Sequence, residues 1–226
     1  MKRVVIHQPD FLPYLGFFHR LVDAQVLILL DDAQFQKGGW NHRDKIKTAA
    51  GTKWLTLPID KGPLARSIAD VRLQHDARGW CDHNLNQLRE SYREARWFEP
   101  VVAELEARYR AGHARMVDLN FALLDYLMGA LDVEPEIVWA SQLECPGRST
   151  ERLVELVRAV GGSHYLSGTG ALDYLDAEPF ARAGITLELQ RFEHPCYPQL
   201  HGEFVPYLSS IDALFNCGPA ARALIR

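Results

Sequence analysis

Two short apolar runs near the N-terminus constrain the fold more than any other feature of the chain. Val4-Val5-Ile6 stops at His7-Gln8-Pro9, and Val26-Leu27-Ile28-Leu29-Leu30 stops at Asp31-Asp32. Unbroken aliphatic runs of this length mark strands covered on both faces, and such strands belong to parallel sheets. Between them Leu15, Phe18, Leu21 and Val22 recur on roughly one helical face. Strand, helix and strand within about 30 residues make a βαβ unit, whose strands are parallel and whose crossover is right-handed. Sheets of this kind bind ligands beyond the carboxyl ends of their strands. His7, Gln8, Asp31 and Asp32 are therefore the first candidates for a site.

Further along, Lys53–Pro58 reads as a third strand, and Ile68–Leu73 alternates as an edge strand does, with turns at Gly38-Gly39 and Lys61-Gly62-Pro63. From residue 77 to 131 Leu, Arg, Glu and Ala dominate, which predicts two or three helices broken near Pro100 and Gly112. Glu136–Ala140 returns to strand composition. Ser149 or Thr150 then N-caps a helix with Leu153, Leu156, Val157 and Val160 on one face, ended by Gly161-Gly162. Tyr165–Gly168 is a short strand and turn, and Ile185–Leu189 a last strand. The tail, with Pro195, Pro198 and Pro206, stays irregular until a short helix at 211–215. The expected class is α/β: one domain over 1–226, with a mainly parallel sheet in a Rossmann-like βαβ arrangement and a helical subdomain at 77–131 inserted after the first strands.

Composition narrows the functional classes. Lys+Arg 25 against Asp+Glu 29 leaves a net charge of −4, which does not supply the broad basic surface of a nonspecific nucleic-acid binder. Cys81, Cys145, Cys196 and Cys217 are scattered with no C-x-x-C pair, which suggests neither a zinc knuckle nor a disulfide framework. No apolar run approaches the roughly 20 residues that span a bilayer, and the start is too short for a signal-peptide core. A cytoplasmic protein with reduced thiols is expected.

His7 at a strand end is read either as a general base or phosphate contact, or as a histidine bonded to its own loop. The adjacent carboxylates of Asp31 and Asp32 repel unless a divalent metal, a substrate amine or Arg43 answers them. The other reading is that one caps the next turn while its neighbour faces solvent. Between Lys37 and Lys47 four basic residues accompany Gly38, Gly39, Trp40 and His42, so Arg43 and Lys45 are candidate phosphate contacts, or else the segment is a solvated hairpin. Tyr14 and Trp40 offer rings to a sugar or base, and Ser167 sits at a strand end. The run from His194 to Asn216 is long and aromatic, and is expected to fold over the N-terminal strand ends, bringing His194, Tyr197, Gln199, Asp212 and Asn216 to the ligand. Cys196 between His194 and His201 admits a thiol-nucleophile reading. No Walker loop and no G-x-G-x-x-G after a strand are present, and Gly168-Thr169-Gly170 is only a weak glycine loop. His75, His83 and His113 lack helical zinc spacing.

The stretch Ile6-His7-Gln8-Pro9-Asp10-Phe11-Leu12-Pro13-Tyr14-Leu15-Gly16-Phe17-Phe18, followed by Leu30-Asp31-Asp32-Ala33-Gln34-Phe35, closely resembles the opening of WbqC-like proteins. The likeness continues through Trp40, Arg43, Trp54–Pro58, Thr150–Leu153, Tyr165–Gly168 and Ser209–Gly218, across almost the whole chain. The resemblance implies a role in O-antigen, other surface-polysaccharide or natural-product biosynthesis. It points to a transferase that moves an acyl or aminoacyl group of the glycine type onto an amino sugar or related amine. The substrate is then a small-molecule amine or a sugar nucleotide. A nucleotide, an activated acyl carrier, a charged tRNA or a carrier protein is the expected co-substrate, and no metal is assigned. Alternatives are a HIGH-type nucleotidyltransferase, an ATP-dependent acyl-adenylating enzyme, and a noncatalytic sugar- or nucleotide-binding accessory protein.

Overall fold

In a computed structural model that describes residues 1–63, 65–74, 77–168 and 175–226, the two N-terminal runs pair side by side. β1 (Arg3–His7) and β2 (Val26–Leu29) are parallel, with Val4 opposite Val26 and Ile6 opposite Ile28. The helix between them, α1 (Leu15–His19), is shorter than its apolar spacing suggests; Leu21 and Ala24 continue it only through i→i+3 turns.

The third expected strand joins a different sheet. β3 (Arg43–Thr48), part of the basic segment, and β4 (Gly51–Thr56) form a separate antiparallel hairpin. Ile68–Leu73 is not an edge strand but a 3₁₀ turn at Ile68–Asp70 followed by isolated bridges, because the Ser67 hydroxyl accepts from the Asp70 amide and donates to its carboxylate. Three helices occupy the next segment: α2 (Ala77–Tyr92), α3 (Phe98–Tyr109) and α4 (Met116–Ala130). The breaks fall at 93–97 and 110–115, near Pro100 and Gly112 as expected, and Pro100 itself sits in the first turn of α3, where its missing N–H costs no bond.

β5 (Glu136–Trp139) pairs with β2, and α5 (Ser149–Ala159) starts one residue earlier than a Ser149 or Thr150 cap implies, with Arg148 at the N-cap. β6 (His164–Ser167) crosses back to pair with β1, and β7 (Thr186–Leu189) follows after α6 (Ala177–Arg182). α7 (Ser210–Cys217) closes the tail. The five-stranded sheet runs β5-β2-β1-β6-β7, all parallel. The chain thus builds outward from β1 on one side and then on the other, so the order reverses between β1 and β6.

Side chains of the strands alternate between two apolar layers. Val5, Leu27, Leu29 and Leu166 pack with α1, α2, α3, α4 and α7; Val4, Ile6, Val26 and Ile28 pack with α5 and α6. The helices of residues 77–131 share one apolar cluster with the strands. His75, Thr169 and Gly170 lie outside the described residues. Among the described residues no helix is long and apolar enough to cross a membrane.

Candidate functional site

Beyond the carboxyl ends of β1 and β6, at the reversal of strand order, two cavities of about 450 and 390 Å³ share His7, Asp10, Arg20 and Trp40 as walls. The larger adds Gln8, Asn41, Ser149, Arg152, Ser167 and Gly168; the smaller adds Pro13, Tyr14, Phe17, Asp44 and Tyr207. A side chain of α4 fixes the loops that carry them. Buried Asn120 donates to the carbonyls of Pro9 (2.8 Å) and Asn41 (2.7 Å), and the Phe11 amide donates to the Trp40 carbonyl (3.0 Å). Asn41 in turn donates to Asp10 Oδ1 at 2.9 Å.

His7 Nδ1 lies 2.9 Å from the Gln8 carbonyl and 3.5 Å from Asp10 Oδ2. A carbonyl only accepts, so the neutral ring carries its proton on Nδ1 and its lone pair on Nε2. Burial, reinforced by Arg20 and opposed by the Gln8 carbonyl, lowers the imidazole to about 3. Burial raises the Asp10 carboxyl to about 7 against the pull of Arg20. Both side chains still touch the cleft, His7 27% and Asp10 13% exposed. At neutral pH the pair is an uncharged imidazole beside a half-ionised carboxyl.

Arg20, only 5% exposed, has no hydrogen-bond partner on Nε or Nη2 among the described residues, and its guanidinium lies 5.7 Å from the Phe17 ring centre. A Cβ at Gly168 would stand 1.9 Å from Arg20 Nη1, so only glycine leaves room for the guanidinium there.

Other residues expected at the site sit elsewhere. Asp31 accepts from the Ser141 amide (3.0 Å) and hydroxyl (2.6 Å), and Asp32 pairs with Arg152. The two carboxylates have separate partners, and neither forms a wall of the cleft. Arg43 lies over Trp54 at 4.2 Å, with Lys45 at 5.0 Å; Trp54 packs at a tilt of 47° against Trp40, which is half exposed at the cleft rim. His42 is buried against Phe35. Gln8, Tyr14, Trp40 and Ser167 do line the cleft. His7 lines the cleft, whereas Asp31 and Arg43, engaged by these other partners, are not among its walls.

The tail is corrected likewise. Tyr197 and Tyr92 donate to the two oxygens of buried Asp212 (2.9 and 2.8 Å), Asn216 donates to the Asp212 carbonyl (2.8 Å), and Gln199 accepts from Lys47 (3.2 Å). These residues knot the tail to β3 and α2, and the tail reaches the cleft through Tyr207, which packs on Tyr14 and His194. Cys196 is exposed, while the neighbouring imidazoles are turned to backbone carbonyls, His194 to Pro195 and His201 to Ser91. Among the described residues no group of three or more His, Cys, Asp or Glu is placed to hold a metal.

Asp10, Arg20, Asn120 and Arg152 carry the cleft without having been picked out in sequence. Asp10 lies inside the His7 motif, but its role depends on burial. Arg20 is the C-cap of the short α1, beyond its apolar face, and its side chain is a wall of the cleft.

An all-parallel α/β sheet with a polar cleft at its strand-order reversal defines the class of protein. The model of the WbqC-like protein family matches residues 8–224, and the chain belongs to that family. It is also similar to the Mycobacterium tuberculosis (strain H37Rv) protein described as uncharacterized protein Rv1507c, at 29% identity over 229 residues, covering 100% of this chain and 98% of the relative. No solved structure matches the chain significantly.

Proposed function

We propose that this chain is a transferase that moves an acyl or aminoacyl group, of the glycine type, onto the amine of an amino sugar or related small molecule in polysaccharide or natural-product assembly. The observation that carries this reading is the Asp10 carboxyl, raised to about 7 and 3.5 Å from Nδ1 of the neutral His7 ring, in an open cleft. An amine arrives as ammonium and attacks only after losing a proton. Asp10 has the pKa of a base that works near neutrality, whereas an imidazole at about 3 is a poor proton acceptor and serves to orient the amine. The freed nitrogen lone pair attacks the acyl carbonyl, whose π electrons move onto oxygen to give a tetrahedral oxyanion. Its collapse expels the donor's leaving group, which takes the electron pair and the proton held on Asp10, and the carboxylate so regenerated takes the second proton from the nitrogen and passes it to solvent, leaving a neutral amide. The reversal of strand order between β1 and β6 supports a ligand site here, since open parallel α/β sheets bind at such a point. We place the reaction in the cytoplasm, where activated acyl donors are made.

The same reversal point favours, as a second reading, nucleotidyl transfer or ATP-dependent acyl adenylation. α1, at five residues, is too short to serve as the phosphate-binding helix of that chemistry. Mass spectrometry of an amino-sugar nucleotide incubated with a precharged thioester or aminoacyl-tRNA separates the readings. Acylation without ATP supports simple transfer. Pyrophosphate release that requires ATP moves the assignment to adenylation, and ligand binding with no turnover from any donor leaves an accessory binding protein.

A further inference from the structure

The larger cavity meets the first turn of α5, an eleven-residue helix whose N-cap, Arg148, makes no side-chain bond to the opening amides. Ser149 and Arg152 of that turn share the cavity wall with Arg20 and Gly168. Helix amides without a side-chain cap are a ready anion site. A second and independent feature marks the same cavity: Arg20, a wall of it, is only 5% exposed and among the described residues lacks a partner on Nε and Nη2. A guanidinium is not left dry and unpaired without cost, and it keeps its charge. Arg152 is partly neutralised by Asp32, and the acid that faces Arg20 in the cleft is Asp10.

We propose that this cavity is a phosphate site, filled by the diphosphate of a nucleoside-diphosphate-linked substrate, with Arg20 as its principal cation and the first turn of α5 as its amide cradle. The inference rests on the transferase reading and names its substrate class. At about 450 Å³, bounded by two positive elements, the cavity suits a group longer than one carboxylate. Trp40 at the rim, 51% exposed, offers a face to the base. The adjoining 390 Å³ cavity leads past His7 and Asp10 to Tyr14 and Tyr207, where the sugar amine meets the base.

Titration calorimetry on the full chain tests this with UDP, ADP, inorganic pyrophosphate, uridine and glycine as probes. UDP or ADP should bind, pyrophosphate more weakly, and uridine and glycine not measurably. Arg20→Met should weaken diphosphate binding by about 10- to 100-fold, the range of a lost charge-assisted bond. It should leave the melting temperature equal or higher, because an unpaired buried charge has gone. Gly168→Ala displaces the guanidinium without removing it and should weaken the same probes. Wild-type protein that binds no diphosphate, binding untouched by both variants, or glycine binding in place of pyrophosphate would each overturn the site. Diphosphate binding that depends on Arg20, in a protein that acylates no amine, upholds the phosphate site and removes the transferase reading alone.

Discussion

Asp10 and His7, 3.5 Å apart, exchange their ordinary titration order on folding. In the unfolded chain the carboxyl titrates near 3.8 and the imidazole near 6.5; in the fold they move to about 7 and about 3. Between pH 4 and 6.5 both states therefore hold one proton on the pair, as aspartic acid in the fold and as imidazolium in the unfolded chain. By linkage the intact pair adds almost no slope to stability. Each half alone does. In Asp10→Asn only the depressed histidine remains. Its contribution is complete above pH 6.5 and is lost as pH falls toward 3, by up to about 1.4 kcal/mol per pH unit relative to wild type. In His7→Gln the raised carboxyl remains, so that variant should gain stability relative to wild type as pH falls from 7 to 4. Urea unfolding at pH 5 and pH 8 reads both slopes; parallel pH profiles in all three proteins would refute the pairing. With Asp10 as base, kcat/KM should climb with pH and level off above about 7. Asp10→Asn should lower it by at least about 100-fold while the protein stays folded.

The β3–β4 hairpin stands outside the parallel sheet, and the tail holds it in place. Lys47 on β3, 2% exposed, donates to Gln199 Oε1 (3.2 Å) and to the carbonyls of Gly202 (3.3 Å) and Glu203 (2.5 Å). Ser209 bridges the same region, donating its amide to the Lys45 carbonyl (3.0 Å) and its hydroxyl to the Leu12 carbonyl (2.7 Å). Lys47→Met takes a buried cation away from its three acceptor oxygens and should cost about 3 kcal/mol. Tyr197→Phe removes one good donor to Asp212 and should cost about 1–2 kcal/mol. Neither side chain lines the cleft, so UDP affinity of the folded variants should match wild type. Tyr207→Ala, at the cleft wall, should instead weaken binding with little change in melting temperature. The reverse pattern would show that the tail acts on the ligand through Tyr197.

At the scale of the molecule, α2, α3 and α4 bury Leu85, Leu105, Leu119 and Leu123 in the same cluster as Val5, Leu27 and Leu29. Helices that share their apolar layer with the sheet have no core of their own to fold around. Calorimetric unfolding should therefore show one transition with calorimetric and van't Hoff enthalpies in agreement, and a separate melting step for residues 77–131 would contradict it.

Short-range pattern determined the elements. The aliphatic runs made β1 and β2 legible because a strand covered on both faces needs no polar alternation. The 3.6-residue spacing of Leu153, Leu156, Val157 and Val160 made α5 legible because one helix face is buried. The His7 motif was legible because it follows a strand end directly. What each polar residue does was decided by partners far away in the chain. Asp31 accepts two hydrogen bonds because Ser141, 110 residues later, meets it, and Asp32 is in an ion pair because Arg152, 120 residues later, does. The crossover that set β6 beside β1 created the cleft, Arg20 at the C-cap of α1 walls it, and burial gave Asp10 its pKa. Pairing, desolvation and cavity shape are properties of segments brought together, and only the tertiary structure holds them.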